Sequence, residues 1–163
     1  EVGPYRGSIF YAIDRYAAAR KIRAWLAEDK IVIANRYVGS NMAHQGGKIS
    51  DPTEQEKYFA WVYNLEYTIF ALPKPDYNFI LHVPAAIAQK LVDQKESRAY
   101  LQGKKRDIHE DDLTHLQAAE TTYLRIAQKF PEYQLLECAD AQTIKPIEEI
   151  HHLIWQSVTT HLI

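Results

Sequence analysis

Lys30-Ile31-Val32-Ile33-Ala34 runs without a break into Asn35-Arg36-Tyr37-Val38-Gly39-Ser40-Asn41, an apolar β-branched stretch that ends in polar side chains. Such a stretch predicts a strand buried on one or both faces. Asn78-Phe79-Ile80-Leu81-His82-Val83 and Tyr133-Gln134-Leu135-Leu136-Glu137-Cys138 predict two more. Helical spacing fills the intervals. Ile9, Ile13, Tyr16, Ala19, Ile22 and Leu26 step by three or four, as do Leu113, Leu116, Tyr123, Ala127 and Phe130 with Glu120 as the one charge among them. Each set makes one stripe of an amphipathic helix. Strands alternating with helices predict an α/β domain with a mainly parallel sheet.

A third helix is marked at its start, where Asp51-Pro52-Thr53-Glu54 sets a capping side chain, a first-turn proline and a reciprocal glutamate in order. Its pattern runs to about Leu72. Tyr58, Phe59, Trp61, Val62, Tyr63, Leu65, Tyr67, Ile69 and Phe70 surround it on nearly every side, which predicts a helix wholly buried or half of an interface. Val83-Pro84-Ala85-Ala86 opens another helix from a strand end, and Ile147, Ile150, Leu153, Ile154, Val158 and Leu162 mark a last one. No repeat or low-complexity tract occurs. The polar, basic interval from Lys95 to Asp107 reads as a mobile excursion over a site.

The 163 residues, 47% hydrophobic and 25% charged, suffice for one globular domain with a sizeable core. A formal charge of -2 gives no general attraction to nucleic acid or to an acidic membrane, so a bound anion must be held by a local cluster. No apolar run reaches the roughly 18 residues of a membrane span. The single cysteine, Cys138, excludes an internal disulfide and a cysteine-rich zinc site. The expectation is a soluble cytoplasmic protein with no membrane or nucleic-acid partner.

Ligands of open parallel sheets bind beyond the carboxyl ends of the strands. Arg36 follows the first such end, where a guanidinium can grip a phosphate bidentately or pair with a nearby carboxylate. Tyr11 and Arg15 lie four residues apart on one helix face. A flat ring beside a forked donor suits a nucleobase, one stacking and the other hydrogen-bonding a carbonyl edge; the same pair can also be a surface stack. Lys104-Lys105-Arg106 could clamp a polyphosphate or remain a solvated loop. The histidines lack metal-ligand spacing, so no metal-binding residue is assigned. No Gly-x-Ser-x-Gly elbow is present, and Cys138 at a strand end reads as core.

In four stretches the sequence resembles the thymidylate kinase family of P-loop nucleoside monophosphate kinases. Ile9-Phe10-Tyr11-Ala12-Ile13-Asp14-Arg15 is similar to the helix that holds thymine. The segment from Val32 through Asn35-Arg36-Tyr37 and Ser40-Asn41 to Gln45-Gly46 resembles the Asp-Arg-Tyr/His signature and its continuation. Pro75-Asp76 followed by Phe79-Ile80-Leu81-His82-Val83-Pro84 resembles the strand leading to a lid. Lys104-Lys105-Arg106-Asp107-Ile108-His109-Glu110 resembles the end of that lid. The resemblance implies a P-loop kinase-like three-layer sandwich forming a single domain over residues 1–163, with a lid at about 95–108. It implies that Tyr11 stacks on the thymine, Arg15 bonds a base carbonyl and Arg36 holds the acceptor phosphate. Ser40, Asn41, His44 and Gln45 would line the dTMP pocket. Arg98, Lys104, Lys105 and above all Arg106 would close on ATP, with Arg36 and Arg106 serving catalysis. Ala139-Asp140-Ala141 falls where the family packs adenine.

Two departures qualify what the resemblance implies. Asn35 stands where the signature has an acid, which removes a carboxylate that the family places near the phosphates and magnesium, and no Gly-x-x-x-x-Gly-Lys-Ser/Thr occurs in the 163 residues. The family carries that loop on a first strand, so the chain is expected to be an N-terminally truncated form lacking this strand and loop. The resemblance implies transfer of the γ-phosphoryl group of Mg-ATP to dTMP in dTTP synthesis, by a homodimer, with weak or no activity in the truncated chain. The alternatives are a kinase for another nucleotide and a non-catalytic nucleotide-binding or scaffolding remnant of the same fold.

Overall fold

A computed structural model describes residues 2–93, 113–140 and 142–162. The chain forms two compact units, residues 1–76 and 77–163.

The first unit is helical: α1 (Pro4–Ala27), α2 (Val38–Gly46) and α3 (Pro52–Tyr63), the last continued by a π-helical segment over Asn64–Ile69. Pro4 and Pro52 each occupy a first turn, where a missing N–H costs nothing. Asp51 caps α3 as its sequence predicts, its Oδ1 accepting from the Glu54 N–H at 2.8 Å. The Glu54 carboxylate turns instead to Lys57 Nζ at 2.7 Å, so only half of the reciprocal capping pair forms. The π segment ends through long-reach bonds, Phe70 N–H to Leu65 O and Leu72 N–H to Glu66 O, both 2.9 Å. Ala71 then takes φ 48, a left-handed conformation costly for a residue with a Cβ, and Arg23 Nη2 donates to its carbonyl at 2.5 Å.

Val38, Met42, Tyr58, Phe59 and Val62 fill the core of this unit, with Ala12 and Ala19 of α1 packed close against it. Gly46 permits that closeness, since a Cβ there would lie 2.9 Å from the Phe59 ring and 3.2 Å from the Tyr58 ring. The long aromatic helix is therefore buried along one side, through Gln55, Tyr58, Phe59 and Val62, rather than all round.

Two expectations fail here. Residues 30–34 form no strand: Ile31 and Ile33 are 82% and 91% exposed, and no described segment supplies the backbone partner that a ladder requires. β propensity records a fit to a pleated neighbour and creates none. On α1 the predicted apolar stripe is buried only at Ala19, with Ile22 half-buried. Ile9, Ile13, Tyr16 and Leu26 are exposed, while Ser8, Ala12 and Ala19 are buried. Small side chains let the helix axis approach, and Arg15 completes this face through a buried carboxylate described below.

The second unit is α/β. Strands β1 (Asn78–His82) and β2 (Tyr133–Glu137) lie parallel and in register, Asn78 opposite Tyr133 and His82 opposite Glu137. The connection between them includes α4 (Ala85–Asp93) and α5 (Leu113–Lys129); α5 packs on both strands. Ile80, Leu136, Ala119 and Ile126 form its core. Helix α6 (Ile147–Leu162) follows β2, and Gln134 Nε2 donates to Ser157 Oγ at 3.2 Å. Cys138 is buried, as its core reading expects, and burial pushes its thiol pKa up.

At the carboxyl ends of the strands, His82 Nδ1 meets Glu137 Oε2 at 2.6 Å and Nε2 meets Glu120 Oε1 at 2.9 Å. The other Glu120 oxygen accepts from the Ala85 N–H at 2.9 Å, tying α5 to the start of α4. Burial alone lowers the His82 pKa, but hydrogen bonds to Glu120 and Glu137 outweigh it and raise the value above the ordinary 6.5. A group whose folded pKa is raised stabilises fully below its unfolded value and loses that contribution as pH rises through the folded value. The stability advantage of the native chain over His82→Gln should therefore be largest below about pH 6.5 and shrink above it. Denaturant midpoints of both proteins from pH 6 to 9 check this; an advantage that stays constant contradicts it.

Candidate functional site

The polar centre of the first unit is Glu66, fully buried on the π-helical segment. Its Oε2 accepts from Arg15 Nε and its Oε1 from Arg15 Nη2, each at 2.5 Å. The pair is bidentate, the geometry in which a guanidinium and a carboxylate bind each other best. Oε1 also accepts from Asn41 Nδ2 at 3.0 Å, and the same nitrogen reaches Ser8 O at 3.4 Å. Tyr58 Oη donates to the Asn41 carbonyl at 3.2 Å and lies 2.7 Å from Ser8 Oγ. One buried carboxylate thus joins α1 to α2, and Tyr58 braces the junction from α3.

Residues predicted from sequence fall into distinct positions. Arg15 and Asn41 are brought together through Glu66. Arg36 and Ser40 are brought together directly, Arg36 Nε donating to Ser40 Oγ at 2.6 Å. Arg36 precedes α2 in a left-handed conformation, φ 70, and is exposed. Among the described residues it pairs with no carboxylate. Tyr37, next in the chain, donates to Pro73 O at 3.0 Å; burial and the nearby Glu66 charge raise its pKa.

Tyr11 is half exposed on α1, and His44 is half buried on α2. Asn41 and Gln45, four apart on α2, share a face. Both are more than nine-tenths buried, at 4% and 6% exposure. Asn41 Oδ1 and Gln45 Oε1 nevertheless have no hydrogen-bond partner among the described residues. Gly7 of α1 makes room for the second, since a Cβ there would stand 2.9 Å from Gln45 Oε1. A buried carbonyl without a donor costs about 1–3 kcal/mol, so each is suited to a ligand N–H or O–H. Arg98, Lys104, Lys105 and Arg106, and with them the lid, lie outside the described residues, as does Ala141.

Sequence reasoning passed over Glu66, although a signal was present. It continues the buried series Gln55, Tyr58, Phe59 and Val62 along α3, and a carboxylate on a core-facing helix side requires a cationic partner. Ser8, Ala12, Arg15 and Ala19, at spacings of four, three and four, form the face of α1 that holds this partner.

No described helix is long and apolar enough to cross a membrane. A helical unit with buried polar readers, in a chain whose other unit is a parallel α/β layer, defines an α/β protein with a prepared polar site. The chain belongs to the thymidylate kinase family, whose family model matches residues 1–154. It is 31% identical over 124 residues to the thymidylate kinase of Mycobacterium tuberculosis, covering 76% of this chain and 56% of that protein. It is 29% identical over 147 residues to the thymidylate kinase of Leuconostoc mesenteroides, covering 86% and 64%. The probable thymidylate kinase of Thermococcus kodakarensis is 27% identical over 157 residues, covering 95% and 65%. The chain spans between half and two thirds of the length of these curated relatives.

Proposed function

We propose that the protein carrying this chain transfers the γ-phosphoryl group of Mg-ATP to dTMP, giving dTDP and ADP, as a cytoplasmic homodimer. The observation that carries this reading is the junction at Glu66, which holds a forked donor on Arg15 and a buried amide on Asn41 in one network. An arginine donor with a free acceptor on a neighbouring amide matches the carbonyl and imide N–H of thymine. Tyr11 stacks on the base, His44 and Gln45 lie toward the sugar, and Arg36 with Ser40 holds the acceptor phosphate. The two units form parts of one kinase domain. Its lid, about 95–108, brings Arg98, Lys104, Lys105 and Arg106 to ATP.

In such a transfer the chain's own residues position the acceptor and neutralise charge. Magnesium, when bound with ATP, neutralises charge on the donor phosphates. The described residues contain no cluster of three metal-ligating side chains, and Asn35 carries an amide where the family signature has an acid. These residues do not fit a metal held by the chain, and no step is assigned through it. The donor phosphates' cradle is likewise assigned to none of the 163 residues.

Arg36→Ala in the full-length protein tests the acceptor site. Loss of a charge-assisted phosphate contact should raise KM for dTMP by about tenfold or more and lower kcat/KM at least as far. Steady-state kinetics with varied dTMP check this, and unchanged values remove the phosphate role.

A further inference from the structure

We infer that Glu66 is a positioning residue that sets which nucleobase edge the site accepts, by fixing the direction of the Asn41 amide and of the Arg15 fork. This rests on the dTMP reading above and adds to it a residue that touches no substrate.

A carboxylate that accepts from arginine has acceptors only. The neighbour sharing its Oε1 must present a donor, so Asn41 turns Nδ2 toward Glu66 at 3.0 Å and toward Ser8 O at 3.4 Å. Oδ1 is then the only side-chain polar atom of Asn41 left over, and it is the atom without a partner. The same carboxylate occupies Nε and Nη2 of Arg15, leaving Nη1 without a hydrogen-bond partner among the described residues. Through the Glu66 junction, Arg15 and Asn41 therefore offer one donor, Arg15 Nη1, and one acceptor, Asn41 Oδ1. A base edge with a carbonyl beside an N–H satisfies both; an edge with an amino group beside a bare ring nitrogen satisfies neither. Thymine and uracil have the first edge and cytosine the second. A site built on paired hydrogen bonds discriminates strongly, because the wrong edge leaves its buried groups unpaired.

Glu66→Gln tests this through a ratio that a purely structural role would leave alone. The carboxylate holds three donors, Arg15 Nε, Arg15 Nη2 and Asn41 Nδ2, and a glutamine amide has one acceptor oxygen, so in either orientation Arg15 Nε or the Asn41 amide with Arg15 Nη2 loses its partner and its fixed direction. In the full-length protein the ratio of kcat/KM for dTMP to that for dCMP should fall about tenfold or more, with KM for dTMP raised further than kcat is lowered. Glu66→Asp keeps an acceptor-only group and should retain most of the native ratio despite a higher KM. If Glu66→Gln does not fold, Asn41→Leu, which leaves the Arg15–Glu66 pair in place, should lower the same ratio. A native protein that prefers dTMP, with a ratio unchanged in the folded glutamine variant, or in Asn41→Leu where that is the variant measured, overturns this inference alone. A native protein without that preference overturns the functional reading and this inference together.

Discussion

Arg15→Met should destabilise the chain by about 3–5 kcal/mol, because removal of one partner strands the other as an uncompensated buried charge. Glu66 is fully buried, and after the substitution Asn41 Nδ2 is its only side-chain donor among the described residues. Backbone N–H groups on the π segment are engaged in its own ladder and do not take the guanidinium's place. The double variant Arg15→Met/Glu66→Leu should recover most of the loss, since replacing a buried pair by apolar groups is close to neutral. Denaturant titration of the native chain and the three variants measures the coupling. Additive losses would mean that the two side chains do not stabilise each other.

Tyr58→Ala should cost about 3–5 kcal/mol by opening a cavity where the first unit has its largest fully buried side chain. The ring meets Tyr5 edge-on with centroids 5.4 Å apart, and it packs near Phe59 and Trp61 at 6.1 and 6.2 Å. Those rings belong to α1 and to α3 itself, whose backbones cannot collapse into the space without moving the Glu66 junction. Tyr58→Phe keeps the volume and loses only the hydroxyl contacts with Ser8 and Asn41, which predicts about 1 kcal/mol. Midpoints that rank the two substitutions equally would place the stabilisation in the hydroxyl rather than in the ring.

Part of this was legible in the residues. The cap at Asp51, the strands over Asn78–His82 and Tyr133–Glu137, and the helices that follow them are written in local signals, and each forms where its signals stand. The extended run at residues 30–34 carries an equally good strand pattern and forms none, because a strand is a relation between two segments and the pattern describes one. The buried face of α1 departs from its hydrophobic pattern for a related reason. Hydrophobicity favours Ile9, Ile13 and Tyr16 alongside Ala19, but of these only Ala19 is buried, with Ser8, Ala12 and Arg15 completing the face that meets the carboxylate.

The sequence by itself determined the family, through Arg36, Ser40 and Asn41 at fixed spacing after an apolar run and Tyr11 and Arg15 four apart on a helix. It named residues without saying what directs them. Only the tertiary structure placed Glu66, 51 positions from Arg15 and 25 from Asn41, between the two. Local spacing can state which side chains share a helix face. The direction of an amide, and which donors of a guanidinium remain for a ligand, depend on a partner that folding alone brings within hydrogen-bond reach.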